Sequence, residues 1–226
     1  MELTKPECAK CAVKDKACRA PGGQGPSFCP TLHRKPAIAK ALDEYAKPLI
    51  GKFAREASVQ EAEGYGDRKR KPYLRHPIKP RVQETCEFAH RMGYKKLGIA
   101  FCAGLHKEAA SLTQILEAQG FEVASVVCKA GCTPKETIGV GDEDKVRIGE
   151  FESMCSPVAQ ATLLNEEKTD FNILLGLCVG HDSLFLKYSE ALSTVLVTKD
   201  RVLAHNPAGA LYTSGSYYER MMRKGF

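Results

Sequence analysis

From residue 81 onward the chain alternates between two hydrophobic periods. Apolar side chains three and four apart predict helices over 81–92 (Val82, Cys86, Phe88, Ala89) and 106–118 (Ala109, Leu112, Ile115, Leu116). Continuous apolar runs predict strands over 96–102, 121–128 and Phe171–Cys178. Ser156-Pro157 opens a further predicted helix to residue 167, with serine as N-cap and proline at the first helical position. A helix over 181–191 and a strand over Thr194–Thr198 follow. Lys199-Asp200-Arg201 reads as the tip of a terminal hairpin whose second strand is Val202–Ala204, and a last helix runs from 208 or 216 to 223. The strands are nearly continuous apolar runs rather than alternating. That predicts an α/β fold, a mostly parallel sheet with helices on both faces.

Upstream the pattern weakens. Ile38, Leu42 and Tyr45 share one face of a helical stretch over 36–63 that Pro48 interrupts, and the Pro- and Gly-punctuated residues 64–80 form a loop. Residues 1–35 hold Pro6, Pro21, Pro26, Pro30 and Gly22-Gly23-Gln24-Gly25, with too few apolar side chains to fold by burial. Three segments are expected: 1–35 a cysteine-rich module, 36–80 a helix and basic linker, and 81–226 an α/β domain. Within the last, 129–152 is polar and aperiodic, a long loop with room for a short helix.

Charge changes this picture little. The net +6 is concentrated in Arg68-Lys69-Arg70-Lys71 and the following Arg75, Lys79 and Arg81, where Tyr73 is the one aromatic, so a solvated linker is expected and no nucleic-acid partner. No apolar run reaches the ~20 residues of a membrane helix, and Met1–Pro6 carry no apolar stretch of a secretory signal. A cytoplasmic, membrane-free protein with reduced thiols is the expectation. Walker loops, GxGxxG and HExxH are missing from the sequence.

The chemistry lies in ten cysteines. Cys8, Cys11, Cys18 and Cys29 are spaced Cys-x2-Cys-x6-Cys-x10-Cys. A Cys-x-x-Cys turn brings two thiolates to one ion and the returning chain supplies two more, a donor set for tetrahedral zinc or an iron–sulfur cluster. The spacing matches neither a standard zinc finger nor a bacterial ferredoxin run, so both metals stay open. The second set sits at strand ends. Phe101-Cys102-Ala103-Gly104-Leu105-His106 and Leu177-Cys178-Val179-Gly180-His181-Asp182 share the plan strand, Cys-x-Gly, then helix, and Cys128 closes a third strand. If these strands run parallel, Cys102, Cys128 and Cys178 meet on the carboxyl rim where open α/β sheets bind ligands. Cys155 stands in the positive field of the helix opened by Ser156-Pro157. His181, Asp182, His106 and His205 are the candidate proton-transfer groups, with N-capping the competing role for Asp182. Cys86 is expected in the core, and Cys132 is either a fifth ligand or a loop thiol.

The blocks Phe101–Leu105, Cys155–Ala161, Gly176–Asp182 and Lys199–Pro207 resemble an uncharacterised family of cysteine-rich, predicted metal-binding proteins found mainly in anaerobic bacteria and archaea. The resemblance extends to the leader cysteines. It implies metal binding and an anaerobic setting, and it supplies no reaction. That setting favours an iron–sulfur cluster, expected as 4Fe-4S, on Cys102, Cys155 and Cys178, with Cys128 as fourth ligand or displaceable neighbour. Redox or sulfur-related chemistry with a small-molecule substrate or redox partner would follow. Two alternatives stand beside it: a thiol enzyme using Cys178 or Cys102 with His181 as base, and a structural zinc protein without catalysis.

Overall fold

A computed structural model describes residues 4–225; Met1–Leu3, which open the segment without an apolar stretch, and Phe226 lie outside the described residues. The chain divides into two compact units, Met1–Glu63 and Gly64–Phe226.

In the first unit a coil with a 3-10 turn at Cys8–Lys10 leads into α1 (Pro30–His33), α2 (Lys35–Tyr45) and α3 (Pro48–Glu63). Pro30 sits in the first turn of α1, where its missing N–H costs no hydrogen bond. The break between α2 and α3 falls just before Pro48, which disfavours helical backbone in the residue preceding it. Ile38, Leu42 and Tyr45 share a face of α2 but are 40%, 61% and 55% exposed, so α2 contributes no buried residue. The cysteine-bearing coil closes on itself through Gln24 N–H to Asp15 O (2.7 Å) and Ala17 N–H to Gln24 O (2.8 Å). A side chain at Gly23 would meet the Lys16 backbone at 2.6 Å, so this close approach requires glycine.

The second unit is the α/β body. Its elements are α4 (Arg81–Met92), β1 (Lys96–Phe101), α5 (His106–Ala118), β2 (Glu122–Val127), α6 (Pro157–Glu166), β3 (Phe171–Leu175), α7 (His181–Tyr188), β4 (Ser193–Val197) and α8 (Ala208–Tyr212). The four strands form one sheet in the order β2-β1-β3-β4, every pair parallel. β1 and β3 are central and almost wholly buried, which is why their sequences run apolar on both faces except at Asn172, whose amide bonds with Thr169 and Ser189. On one face Ala100 and Leu174 pack with Ala161 and Leu164 of α6 and Phe185 of α7. On the other, Phe171 meets Phe88 of α4 and Tyr94, and α5 covers β1 and β2. Leu97, Ile99, Leu116, Leu164, Ile173, Leu174 and Phe185 are fully buried, each contributing roughly 1.5–3 kcal/mol of transfer free energy.

This order places the site. The chain leaves β1 toward β2 on one side, then returns past β1 to lay down β3 on the other. The carboxyl ends of β1 and β3 therefore flank a topological switch point, the usual position of a ligand crevice. Cys102 follows β1, Cys128 follows β2, and Cys178 stands three residues beyond β3.

Several ends differ from the sequence pattern. β3 stops at Leu175 rather than Cys178, because Gly176 turns the chain at φ +71°, where a Cβ would lie 1.9 Å from Leu105 Cδ1. The terminal hairpin does not form. Asp200 Oδ1 accepts the N–H groups of Val202 (2.9 Å) and Leu203 (2.8 Å), and Ala204 and His205 adopt φ +49° and +63°. Residues 201–205 are consequently a turn. The last predicted helix resolves into α8 and a 3-10 turn at Glu219–Met222. Part of the basic segment is structural: Arg81 donates to Val195 O (3.0 Å) and Thr194 Oγ1 (2.9 Å) on edge strand β4. Among the described residues no helix is long and apolar enough to cross a membrane.

Candidate metal centre

Backbone ladders bring the rim thiols together. Cys102 N–H donates to Leu175 O (3.0 Å) and Cys128 N–H to Phe101 O (2.8 Å), extending the sheet by one bond past each strand. Ser156 N–H then donates to Cys128 O (2.8 Å), which holds Cys155 beside Cys128. Ser156 occupies the N-cap of α6 without a side-chain capping bond, so Pro157 and this backbone bond define the helix start. Cys178 O accepts from His181 N–H (3.0 Å) and Asp182 N–H (3.1 Å), fixing it to the first turn of α7.

Cys102, Cys128, Cys155 and Cys178 all line one cavity of about 560 Å³. Cys155 Sγ stands 3.8 Å from Cys128 Sγ, and Ala103 N–H points at Cys128 Sγ (3.4 Å). Cys128 is 3% exposed and belongs to the core under α6 and α7, while Cys102 and Cys155 pack against that core from the cavity side. Two cations complete the set. Lys199 Nζ donates to Cys102 Sγ (3.4 Å) and Arg201 Nη2 to Cys178 Sγ (3.0 Å). Among the described residues neither cation has a carboxylate partner.

The thiols divide by proton affinity. A hydrogen bond from Cys128, with help from the Gly104 backbone and Lys199, draws Cys102 down to about 5 against the desolvation of its site. A bond from Cys128 and the positive fields of Lys129 and His181 draw Cys155 down to about 6. Cys128 moves the other way: donating to Cys102 and Cys155, and buried, it holds its proton. Cys128 has a single S–H and stabilises one neighbouring thiolate at a time, so the three thiols titrate as a unit.

The histidines separate. His181 lines the cavity. His106 turns away, packing edge-on against Phe101 and facing a different hollow with Thr113, Gln114 and Ser125. Asp182 Oδ1 accepts the Ser183 N–H (2.8 Å) and lies outside the cavity lining. His205 Nδ1 accepts the Asp200 N–H (3.2 Å) inside the turn that carries Arg201. Cys132 is exposed at φ +49°, away from the other thiols' cavity. Cys86 is buried in α4, and burial pushes its thiol up.

In the first unit Cys8, Cys11, Cys18 and Cys29 line one smaller hollow of about 80 Å³. A Cβ on Gly25 would come within 2.7 Å of Cys29 Sγ, so the missing side chain leaves that sulfur its place. Among the described residues no group of three or more His, Cys, Asp or Glu side chains stands in the arrangement that holds a metal ion. The side chains gather around both hollows without closing on a common point.

Sequence pattern alone missed Lys199 and Arg201 as partners of the thiols. Their signal was available: two cations two residues apart, just beyond the carboxyl end of a parallel strand.

Fold and site together define an α/β protein with a four-thiol cavity at the switch point of a parallel sheet. The family model described as "Protein of unknown function (DUF1847)" matches residues 29–196, a span that contains Cys29 and all four rim cysteines. The chain belongs to this family. It is 43% identical over 192 residues to the uncharacterized protein MJ0455 of Methanocaldococcus jannaschii, covering 85% of this chain and 91% of that protein.

Proposed function

We propose that the rim thiols hold an iron–sulfur cluster of the 4Fe-4S type, and that the protein works in redox or sulfur-related chemistry at that centre. One observation carries this reading. Cys102, which follows β1, and Cys178, three residues beyond β3, each accept a hydrogen bond from a cation that has no carboxylate partner among the described residues, and they share a cavity with Cys128 and Cys155. Lys199 is half-buried and Arg201 exposed, and a cation that donates to sulfur is better matched by a thiolate or an anionic cluster than by a neutral thiol. The donor set is all sulfur, which suits soft metals and iron–sulfur centres.

Cys102, Cys155 and Cys178 are the ligands. Cys102 and Cys155 are each drawn below the ordinary thiol range by the Cys128 S–H, which supports one of the two thiolates at a time, and Arg201 holds Cys178. Cys128, buried and protonated, lies behind them as an S–H donor. When bound, a cluster held by three thiolates supplies an iron open to the cavity, able to act as a Lewis acid. The leader quartet forms a second, structural thiolate site for zinc or a further cluster, because its coil has little apolar burial of its own. The setting is a reducing cytoplasm.

Anaerobically purified protein should be brown, absorb broadly in the visible, and contain iron and acid-labile sulfide; Cys178→Ser should lose most of both. Colourless protein with zinc and no iron would refute the cluster.

A second reading rests on Lys199 at 3.4 Å from Cys102 Sγ. In a thiol enzyme Cys102 would be the nucleophile, ionised by Lys199 and Cys128 rather than by His181. It expects a metal-free rim and alkylation of Cys102 ahead of the other thiols.

A further inference from the structure

The cavity is larger than its sulfur floor requires. A metal centre is a compact object with bonds of about 2.3 Å, whereas chambers of ~300–1,000 Å³ accommodate small-molecule ligands. The remaining wall comes from the excursion between Cys128 and Cys155. This segment has no strand or α-helix, yet it is firmly built. Lys129 Nζ donates to Ser153 O, Met154 N–H to Thr133 O (2.7 Å), and Lys135 N–H to Glu152 O (3.1 Å). Its centre is the Lys145 ammonium, bound to Glu136 (2.5 Å) and Asp142 (3.0 Å), with a side chain only 5% exposed. Glu152 pairs with Lys135 (2.8 Å) and accepts the Val146 N–H (2.9 Å).

With Lys129, Lys135, Lys145 and Glu152 tied internally, the excursion turns Ile138, Val140, Val146 and Met154 toward the thiol cavity, whose wall also carries the Asp144 carboxylate. Ile138 is 62% and Val146 84% exposed. Apolar side chains held in the open on a rigid concave wall mark a ligand surface. Arg201 stands on the same cavity; one guanidinium nitrogen is on Cys178, and the group carries further donors in its planar fork.

We infer that this chamber binds a small organic anion, its apolar body against Ile138 and Val146 and its charged group on Arg201. As the substrate chamber of the thiolate centre it rests on the reading above; as a binding site it stands without the metal, and the test separates the two. Fluorescence titration of the full-length protein with 8-anilinonaphthalene-1-sulfonate, an organic anion of suitable size, is expected to show one site per chain. N-phenyl-1-naphthylamine, which lacks the sulfonate, is expected to bind about tenfold more weakly. Arg201→Gln should erase that preference. Val146→Asp or Ile138→Asp should weaken the sulfonate by about tenfold or more, with iron content unchanged, and both positions are exposed enough to leave the fold intact. Leu49→Asp, at an exposed apolar residue of the first unit, should change nothing. Equal affinity for the two dyes in wild type, or undiminished binding in both Val146→Asp and Ile138→Asp, would overturn the chamber. Iron present without binding sensitive to Val146 defeats this inference alone. Such binding without iron upholds it and defeats the cluster.

Discussion

The leader quartet and the rim thiols are two answers to the same problem of holding several sulfurs together. The leader cysteines sit on a coil with almost no buried side chains, around a hollow of about 80 Å³, with glycines making room for backbone and sulfur. The rim cysteines sit on a finished hydrophobic body, around a cavity of about 560 Å³, with Lys199 and Arg201 aimed at two of them. In the first case a metal would supply the folding energy; in the second the fold supplies a site whose charge invites a metal. Sulfur at a scaffold's expense and sulfur as the scaffold should respond differently to perturbation.

The sharpest separation of the two sites should come at the leader. Gly25→Ala places a methyl group within 2.7 Å of Cys29 Sγ. Metal affinity at that site should fall by the roughly 10–100-fold typical of a disturbed ligand surround, or more. Limited proteolysis should then cut residues 4–35 first, with the rim centre's visible absorbance unchanged. Loss of both centres together would break the distinction.

Next is the scaffold itself. Leu164→Ala empties a fully buried position between sheet and α6, so chemical denaturation of the second unit should show a loss of about 2–5 kcal/mol. Leader metal content should stay constant. An equal loss of leader metal would mean that the two units do not stand independently.

The smallest effect concerns protons. In metal-free protein the Cys102–Cys128–Cys155 unit gives up its first proton well below the range of an ordinary thiol, with Cys102 drawn down to about 5. The alkylation rate of Cys102 should therefore already be rising near pH 5 and flatten before pH 8, read against the leader thiols in the same sample. Lys199→Met removes one of the smaller stabilising bonds and should move the Cys102 midpoint upward, read from mass-resolved alkylation. No movement would take Lys199 out of the account.

Much of the fold was legible because buried parallel strands cannot hide. Leu97 to Phe101 and, but for Asn172, Phe171 to Leu175 are apolar on both faces, and the helices between them carry their own period. Strand ends and parallel order put Cys102, Cys128 and Cys178 on one rim, the helix start at Ser156-Pro157 singled out Cys155, and all four line one cavity. What stayed hidden depended on side chains folding back on backbone. Asp200 bonding Val202 and Leu203 turned an expected hairpin into the loop that delivers Arg201. His106 and His181 share a sequence context, yet His106 packs on Phe101 and His181 lines the cavity, since the start of a helix can face either side of its strand. The excursion between Cys128 and Cys155 has no hydrophobic period because ion pairs around Lys145 shape it.

The central claim is that the rim thiols, and not only the leader, hold metal. Iron, zinc and acid-labile sulfide should be counted per chain in anaerobically purified wild type, Cys11→Ser and Cys178→Ser. The account predicts iron and sulfide in wild type, lost in Cys178→Ser with leader metal retained, and kept at the rim in Cys11→Ser. Identical metal content in wild type and Cys178→Ser would contradict it.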